Sequence, residues 1–432
     1  MVDRSRPIVP LENGEILVHA PAAKFPPPKP HNPHGHQHAA ARATVTHTET
    51  VFVTHTAMVP APMTTSVATH SADPVVFVFI MISVDSASEG AILLKSILMY
   101  NSKPTHFHII CDEAAQQYLE ARLSLITRPA NDIRVHFYHL TQDKIAARLN
   151  REGSIGTSHS AGAYGLMKLF IHEILPPSVK RAIYVDTDAF FISDPSHLWD
   201  LFHEMDPKIA ISMPSHPEQN AAVWNHASNI CSCIMLLDLQ RLRDLRLMDS
   251  SVYRADPSGP VALSPATFVA MYGIPGESGH YEDVHLGDQG YFYAIVKHRP
   301  DIFAHLGFDW EVSSCLLDMY NTTLGHDEVS EIDEFYTQIH LWETPQAQVG
   351  SVLPKLLHFN CLEGTPRYYE WEGWSDPTLS LTQRWHPAVQ YHVGFKWIWL
   401  NKHPKDRAGA TLAMETTHDV VFADEVFAAR IE

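Results

Sequence analysis

From Pro74 onward the chain alternates short runs of β-branched and aromatic residues with stretches whose apolar positions recur at helical spacing. Val75–Val84 is the longest apolar run, broken only by Ser83 and rich in Val, Ile and Phe, which predicts a buried strand. Ser86-Ala-Ser-Glu89 has the form of a capping box, so a helix is expected over Gly90–Tyr100, stopped by Pro104. His106–Cys111 and Ile133–Leu140 predict two more strands, with a helix over Ala114–Leu125 between them. A further helix is expected over Leu166–Leu175, before Pro176-Pro177, and then a short strand, Arg181–Val185. Ile230–Leu237 suits a central strand, Asp288–Lys297 a helix and Lys355–Phe359 a late strand. This alternation predicts an α/β fold: a Rossmann-like, mostly parallel central sheet flanked by helices.

The N-terminal part has a different texture. Residues 1–73 are rich in Pro, His and Thr and lack a period that could pack, so a disordered stalk or linker is expected there. His31, His34, His36 and His38 are read as part of that solvated stretch rather than as a metal site. A single α/β domain is expected over residues 74–402, and residues 403–432 as a polar, peripheral tail.

Composition narrows the function. With 31 Lys+Arg against 49 Asp+Glu, the formal net charge is −18, which argues against nucleic acid as a partner. The 5 cysteines form no CxxC pair, so no zinc ribbon is predicted, and Cys231 and Cys233 read as small buried hydrophobes. No signal peptide is visible, and the longest apolar run is about half the roughly 20 residues of a membrane helix, so a soluble chain without a membrane segment is expected.

The sharpest chemical feature is Asp186-Thr187-Asp188, a D-x-D at the C-terminal end of a short apolar strand, where open α/β sheets bind ligands. Two carboxylates so close repel unless a cation sits between or beside them. Oxygen donors favour Mg²⁺ or Mn²⁺, which would neutralise charge building on a diphosphate leaving group. A loop in which both acids cap local structure has the same spacing. A D-x-D phosphatase has it too, although the bulky Ala189-Phe190-Phe191-Ile192 continuation counts against that chemistry.

In order along the chain, LLKSILMYNSKPTHFHIICDE, the block His159–Phe202, Asn229–Arg243, GDQGYFYAIVKHRP and KLLHFN resemble glycosyltransferase family 8, a retaining group that includes glycogenin. The resemblance is strongest to the xylosyltransferase domain of LARGE-type enzymes and to the glucoside xylosyltransferases. It implies a GT-A fold, a UDP-sugar donor, a divalent cation such as Mn²⁺ and a carbohydrate-bearing acceptor. By the same resemblance, Asp186, Asp188 and His358 would hold the metal. Val84, Asp85, Lys168, Asp186, Thr187, Asn229, Asn360 and Arg367 would bind the donor, and Asp288 with Gln289 would face the sugar and acceptor.

The chain also departs from the family pattern. Asn229-Ile230-Cys231 stands where the family has Asn-x-Gly, and Glu311 follows Trp310 where an Asn is common. Arg367 replaces a pyrophosphate-binding lysine at a stretched spacing. These departures motivate a second expectation, a nucleotide-sugar-binding module without turnover. The resemblance favours the Golgi lumen; the missing anchor leaves a cytoplasmic enzyme open. The aromatic runs Tyr368–Trp374 and Tyr391–Trp399 are expected to pack a C-terminal lobe onto the core.

Overall fold

The computed structural model describes residues 73–151, 155–157, 159–214, 230–248, 286–314, 354–360, 362, 367–402, 409–423 and 425. The expected stalk and its histidines, and Asn229, lie outside the described residues.

In chain order the strands are β1 (Val75–Met81), β2 (Thr105–Cys111), β3 (Ile133–His139), β4 (Arg181–Val185), β5 (Ala189–Phe191), β6 (Ile211–Pro214), β7 (Ile234–Asp238), β8 (Phe303–Leu306), β9 (Val312–Ser313), β10 (Leu356–His358) and β11 (Leu412–Thr417). The helices are α1 (Val84–Tyr100), α2 (Glu113–Leu123), α3 (Gln142–Asn150), α4 (Gly162–Leu166), α5 (Ile171–Ile174), α6 (Ser196–Asp200), α7 (Leu239–Asp244), α8 (Asp288–His298) and α9 (Ser380–Gly394).

An 8-stranded sheet runs β11-β3-β2-β1-β4-β7-β6-β8. Strands β11 through β4 pair in parallel, β7 is antiparallel to both neighbours, and β8 is parallel to β6. This is the α/β, mostly parallel arrangement expected from the pattern. β1 and β2 are mostly buried on both faces; β1 is an unbroken apolar run, whereas β2 carries His106 and His108 among its apolar residues. Phe77 and Phe79 of β1 pack under α1, while Val78 belongs to the opposite layer with Phe170 and Tyr184.

A small second sheet, β5-β10-β9, is built by the chain just after the D-x-D. It places Ala189 opposite His358, so the late histidine is brought beside the two aspartates by strand register. A third apolar cluster, with Phe190, Phe359, Tyr368 and Trp374, fixes this sheet against α1 and α9. The aromatic run therefore packs, as expected.

Three expectations need correction. The first strand ends at Met81, and α1 begins at Val84, capped by Ser83, whose hydroxyl accepts from Ser86 N at 3.0 Å. Ser83 is extended, as an N-cap must be; Glu89 does not close a capping box but accepts instead from Tyr368 N at 2.8 Å. The helix expected over Leu166–Leu175 is broken into α4, a 3-10 turn at Met167–Phe170, and α5. Every residue from Gly165 to Leu175 is buried, so the segment threads the core and has no solvent face to keep it straight. The peripheral tail is also wrong: Leu412–Thr417 forms β11, parallel to β3, and Val420 and Phe422 are core residues. Alternation along β11 is between half-buried and exposed positions, which reads as polar in the sequence although the backbone completes the sheet edge.

Among the described residues no helix is long and apolar enough to cross a membrane.

Candidate active site

Strand β4 ends at Val185, and its D-x-D is pinned from both sides by backbone hydrogen bonds. Asp186 N donates to Cys233 O (2.7 Å), and Phe359 N donates to Asp188 O (2.9 Å). The two carboxylates thus sit at the carboxyl end of the sheet, beside a cleft of about 770 Å³.

Asp186 is held by two donors. Tyr184 OH donates to its Oδ1 at 2.6 Å, and Lys168 Nζ lies 2.9 Å from the same oxygen. Lys168 also stands 3.0 Å from Asp288 Oδ2, whose other donor is Ser232 Oγ at 2.6 Å. The lysine is only 7% exposed. Burial alone would depress its ammonium, but Asp186 and Asp288 outweigh that and hold it well above the usual lysine value. Burial raises Asp186, against the pull of Lys168, and repulsion from Asp188 and Asp288 adds to the rise.

His358 joins from β10, with Nε2 3.4 Å from Asp188 Oδ1 and Nδ1 3.1 Å from Glu311 Oε1. Burial pushes Asp188 up, yet His358 overturns this and keeps it below the ordinary carboxylate range. The imidazole, whose burial alone would lower it, is driven well above its usual value by Asp188 and its hydrogen-bond partners. Asp186, Asp188 and His358 bring their ligand atoms within 4.8 Å of one another. Two carboxylates and one imidazole form a hard-to-borderline donor set that fits Mn²⁺ or Mg²⁺.

Across the cleft, α8 starts at a left-handed entry, with Leu286 at φ +68° and Gly287 at φ +60°. Gly287 carries this conformation without strain. Asp288 in the first turn approaches so closely that a Cβ on Gly165 would lie 3.1 Å from its Oδ1.

Residues 79–236 match the model of glycosyl transferase family 8. That match supports a family 8 assignment for this segment. The human xylosyl- and glucuronyltransferase LARGE2 is 29% identical over 275 residues, 61% of this chain and 33% of the relative. The mouse LARGE2 is 37% identical over 241 residues, covering 53% and 31%. Human LARGE1 is 27% identical over 268 residues, covering 59% and 30%. The chain therefore spans about a third of the length of these curated relatives. Among solved structures, mouse xyloside xylosyltransferase 1 has a TM-score of 0.46 at 18% identity, over 68% of this chain and all (100%) of that one. The galactosyltransferase LgtC, in complex with donor and acceptor sugar analogs, has a TM-score of 0.46 at 14% identity, over 77% and 98%.

Lys168, Asp186, Thr187, Asp188, Asp288, Gln289, His358 and Asn360 all border this cleft. Val84 and Asp85 do not; the cleft is lined instead by Ile80, Ile82, Ser83 and Ser86, because the chain has already turned into α1. Arg367 does not reach the cleft either. Its guanidinium pairs with Glu370 through Nε and Nη2, both at 2.8 Å, and lies 3.7 Å from Asp85. Glu311, read as a departure from the family pattern, is fully buried behind His358. Cys231 does line the cleft.

The sequence reading missed Tyr184, Ser232 and Glu89. Tyr184 was legible: it sits two residues before Asp186, and the strand's period of two places both side chains on one face. Ser232 and Glu89 reach the site only through tertiary packing.

Proposed function

We propose that this chain is a metal-dependent, retaining glycosyltransferase that moves a hexosyl or pentosyl group from a UDP-sugar to a glycan, lipid or protein acceptor. The observation that supports this most is the convergence of Asp186, Asp188 and His358 on one point beside the 770 Å³ cleft. The names of the LARGE relatives, xylosyl- and glucuronyltransferase, favour donors of that chemistry.

Asp186, Asp188 and His358 would hold Mn²⁺ or a similar divalent cation. That ion would supply positive charge to the UDP diphosphate as the glycosidic bond breaks. Glu311 accepts from His358 Nδ1, which fixes the tautomer that leaves Nε2 free to act as a ligand. Lys168 acts through Asp186 and Asp288, locking both carboxylates in place. Gln289 and Asp288, at the start of α8, would face the anomeric carbon and stabilise the positive charge that develops there. The acceptor hydroxyl then attacks the face that UDP leaves, passing its proton to the departing phosphate, so no side chain is needed as nucleophile.

Calorimetry of UDP binding with Mn²⁺ and with chelator tests the donor site. Metal-dependent binding supports the reading, and binding indifferent to metal contradicts it. The second reading, a module that binds nucleotide sugar without turnover, draws on Cys231, which borders the cleft where the family resemblance expects a glycine. Binding of UDP with no release from any UDP-sugar would favour that module.

A further inference from the structure

Behind His358 lies a second set of ligand groups. Cys231, Cys233, Glu311 and His358 are all buried, and their ligand atoms lie within 4.8 Å of one another. Cys231-Ser232-Cys233 lies in the turn that leads into β7, where the two thiols meet each other while Ser232 Oγ donates to Asp288. Glu311 is 0% exposed, and among the described residues its Oε2 has no hydrogen-bond partner. An unsatisfied carboxylate oxygen in the interior costs about 1–3 kcal/mol or more. The cluster therefore holds a vacant carboxylate oxygen in the same buried group as two thiols and an imidazole, the combination that a borderline-soft cation satisfies.

We propose that Cys231, Cys233, Glu311 and His358 form a Zn²⁺ site set behind the oxygen-rich Asp186–Asp188 pair. Two sulfurs, one imidazole nitrogen and one carboxylate oxygen give the four ligands of tetrahedral zinc. Both thiols lose their protons to solvent as the metal enters, so binding leaves the oxidation state of every group unchanged. The ring nitrogen facing this pocket is Nδ1, as its 3.1 Å approach to Glu311 shows. Softness separates the two sites: thiolates select zinc over Mg²⁺ or Mn²⁺, and carboxylates favour the harder ions. One consequence rests on the donor-metal reading above. With Nδ1 on zinc, Nε2 carries the ring proton and donates to Asp188, so the outer site loses a ligand and zinc acts as an inhibitor of transfer.

The test is zinc K-edge X-ray absorption on the full chain loaded with one equivalent of Zn²⁺. Two sulfur ligands are expected in the wild type and one in Cys231→Ser, with both retained in Asp188→Asn. A shell of nitrogen and oxygen alone overturns the site. So does a sulfur count that Cys231→Ser and Cys233→Ser leave unchanged, or a wild-type chain in which these cysteines are joined as a disulfide. The wild-type sulfur count needs no variant to fold, and Asp188→Asn separates failure of this site from failure of the donor-metal site.

Discussion

Lys168 Nζ lies 2.9 Å from Asp186 Oδ1, at a point where a cation from the core meets an acid from the tip of β4. The same ammonium reaches Asp288, so one lysine couples the D-x-D to the start of α8. Lys168→Met would leave Asp186 and Asp288 facing each other without their cation. Breaking a buried pair in this way costs about 3–5 kcal/mol. Urea unfolding should show a loss of about that size, near 3 kcal/mol because Asp186 retains some exposure. The deficit should shrink as pH falls, since the stranded carboxylates can then take up protons.

Glu89 lines the cleft beside Asp188, and burial, followed by repulsion from Asp188, raises it from 4.5 to about 8. Its proton is thus held more tightly in the folded than in the unfolded chain. Stability from this group is fully present below pH about 4.5 and is lost as pH rises towards about 8. Glu89→Gln should flatten the pH dependence of the unfolding midpoint across that window and make the variant relatively more stable at its alkaline end.

Arg367 was assigned to the pyrophosphate by resemblance, but its pairing with Glu370 keeps it outside the cleft. Arg367→Ala should change UDP affinity by less than about twofold, in keeping with the small worth of exposed ion pairs. A loss of tenfold or more in calorimetry would return this residue to the donor site.

Much of the architecture was legible because the central strands carry mostly apolar runs and the helices between them have clear stops. Arg181–Val185 was bounded as predicted, and its D-x-D fell at the sheet's carboxyl end. His358 was placed by resemblance; spacing alone could not single it out among 29 histidines, since it reaches Asp188 through pairing of β10 with β5. Cys231 and Cys233 are buried as expected, but their alignment with Glu311 depends on chain segments about 80 residues apart. The role of β11 was hidden because an edge strand with one half-exposed face has little apolar signal.

Phe422 gives that last correction a test. It is fully buried and meets Phe170 edge-on, with ring centroids 6.3 Å apart. Phe422→Ala should cost about 3–5 kcal/mol in denaturant unfolding. A chain ending at Lys402 should aggregate, because removing β11 exposes the edge of β3.

The central claim is that Asp186, Asp188 and His358 hold a cation that serves a UDP-sugar. The most direct measurement is UDP release from a panel of UDP-sugars, with Mn²⁺ and with chelator, in the wild type and in Asp188→Asn. The account predicts slow release from one donor with Mn²⁺, none with chelator, and at least a hundredfold loss in Asp188→Asn, about 2.7 kcal/mol of transition-state stabilisation. Release that persists in chelator, or full activity in Asp188→Asn, would contradict it.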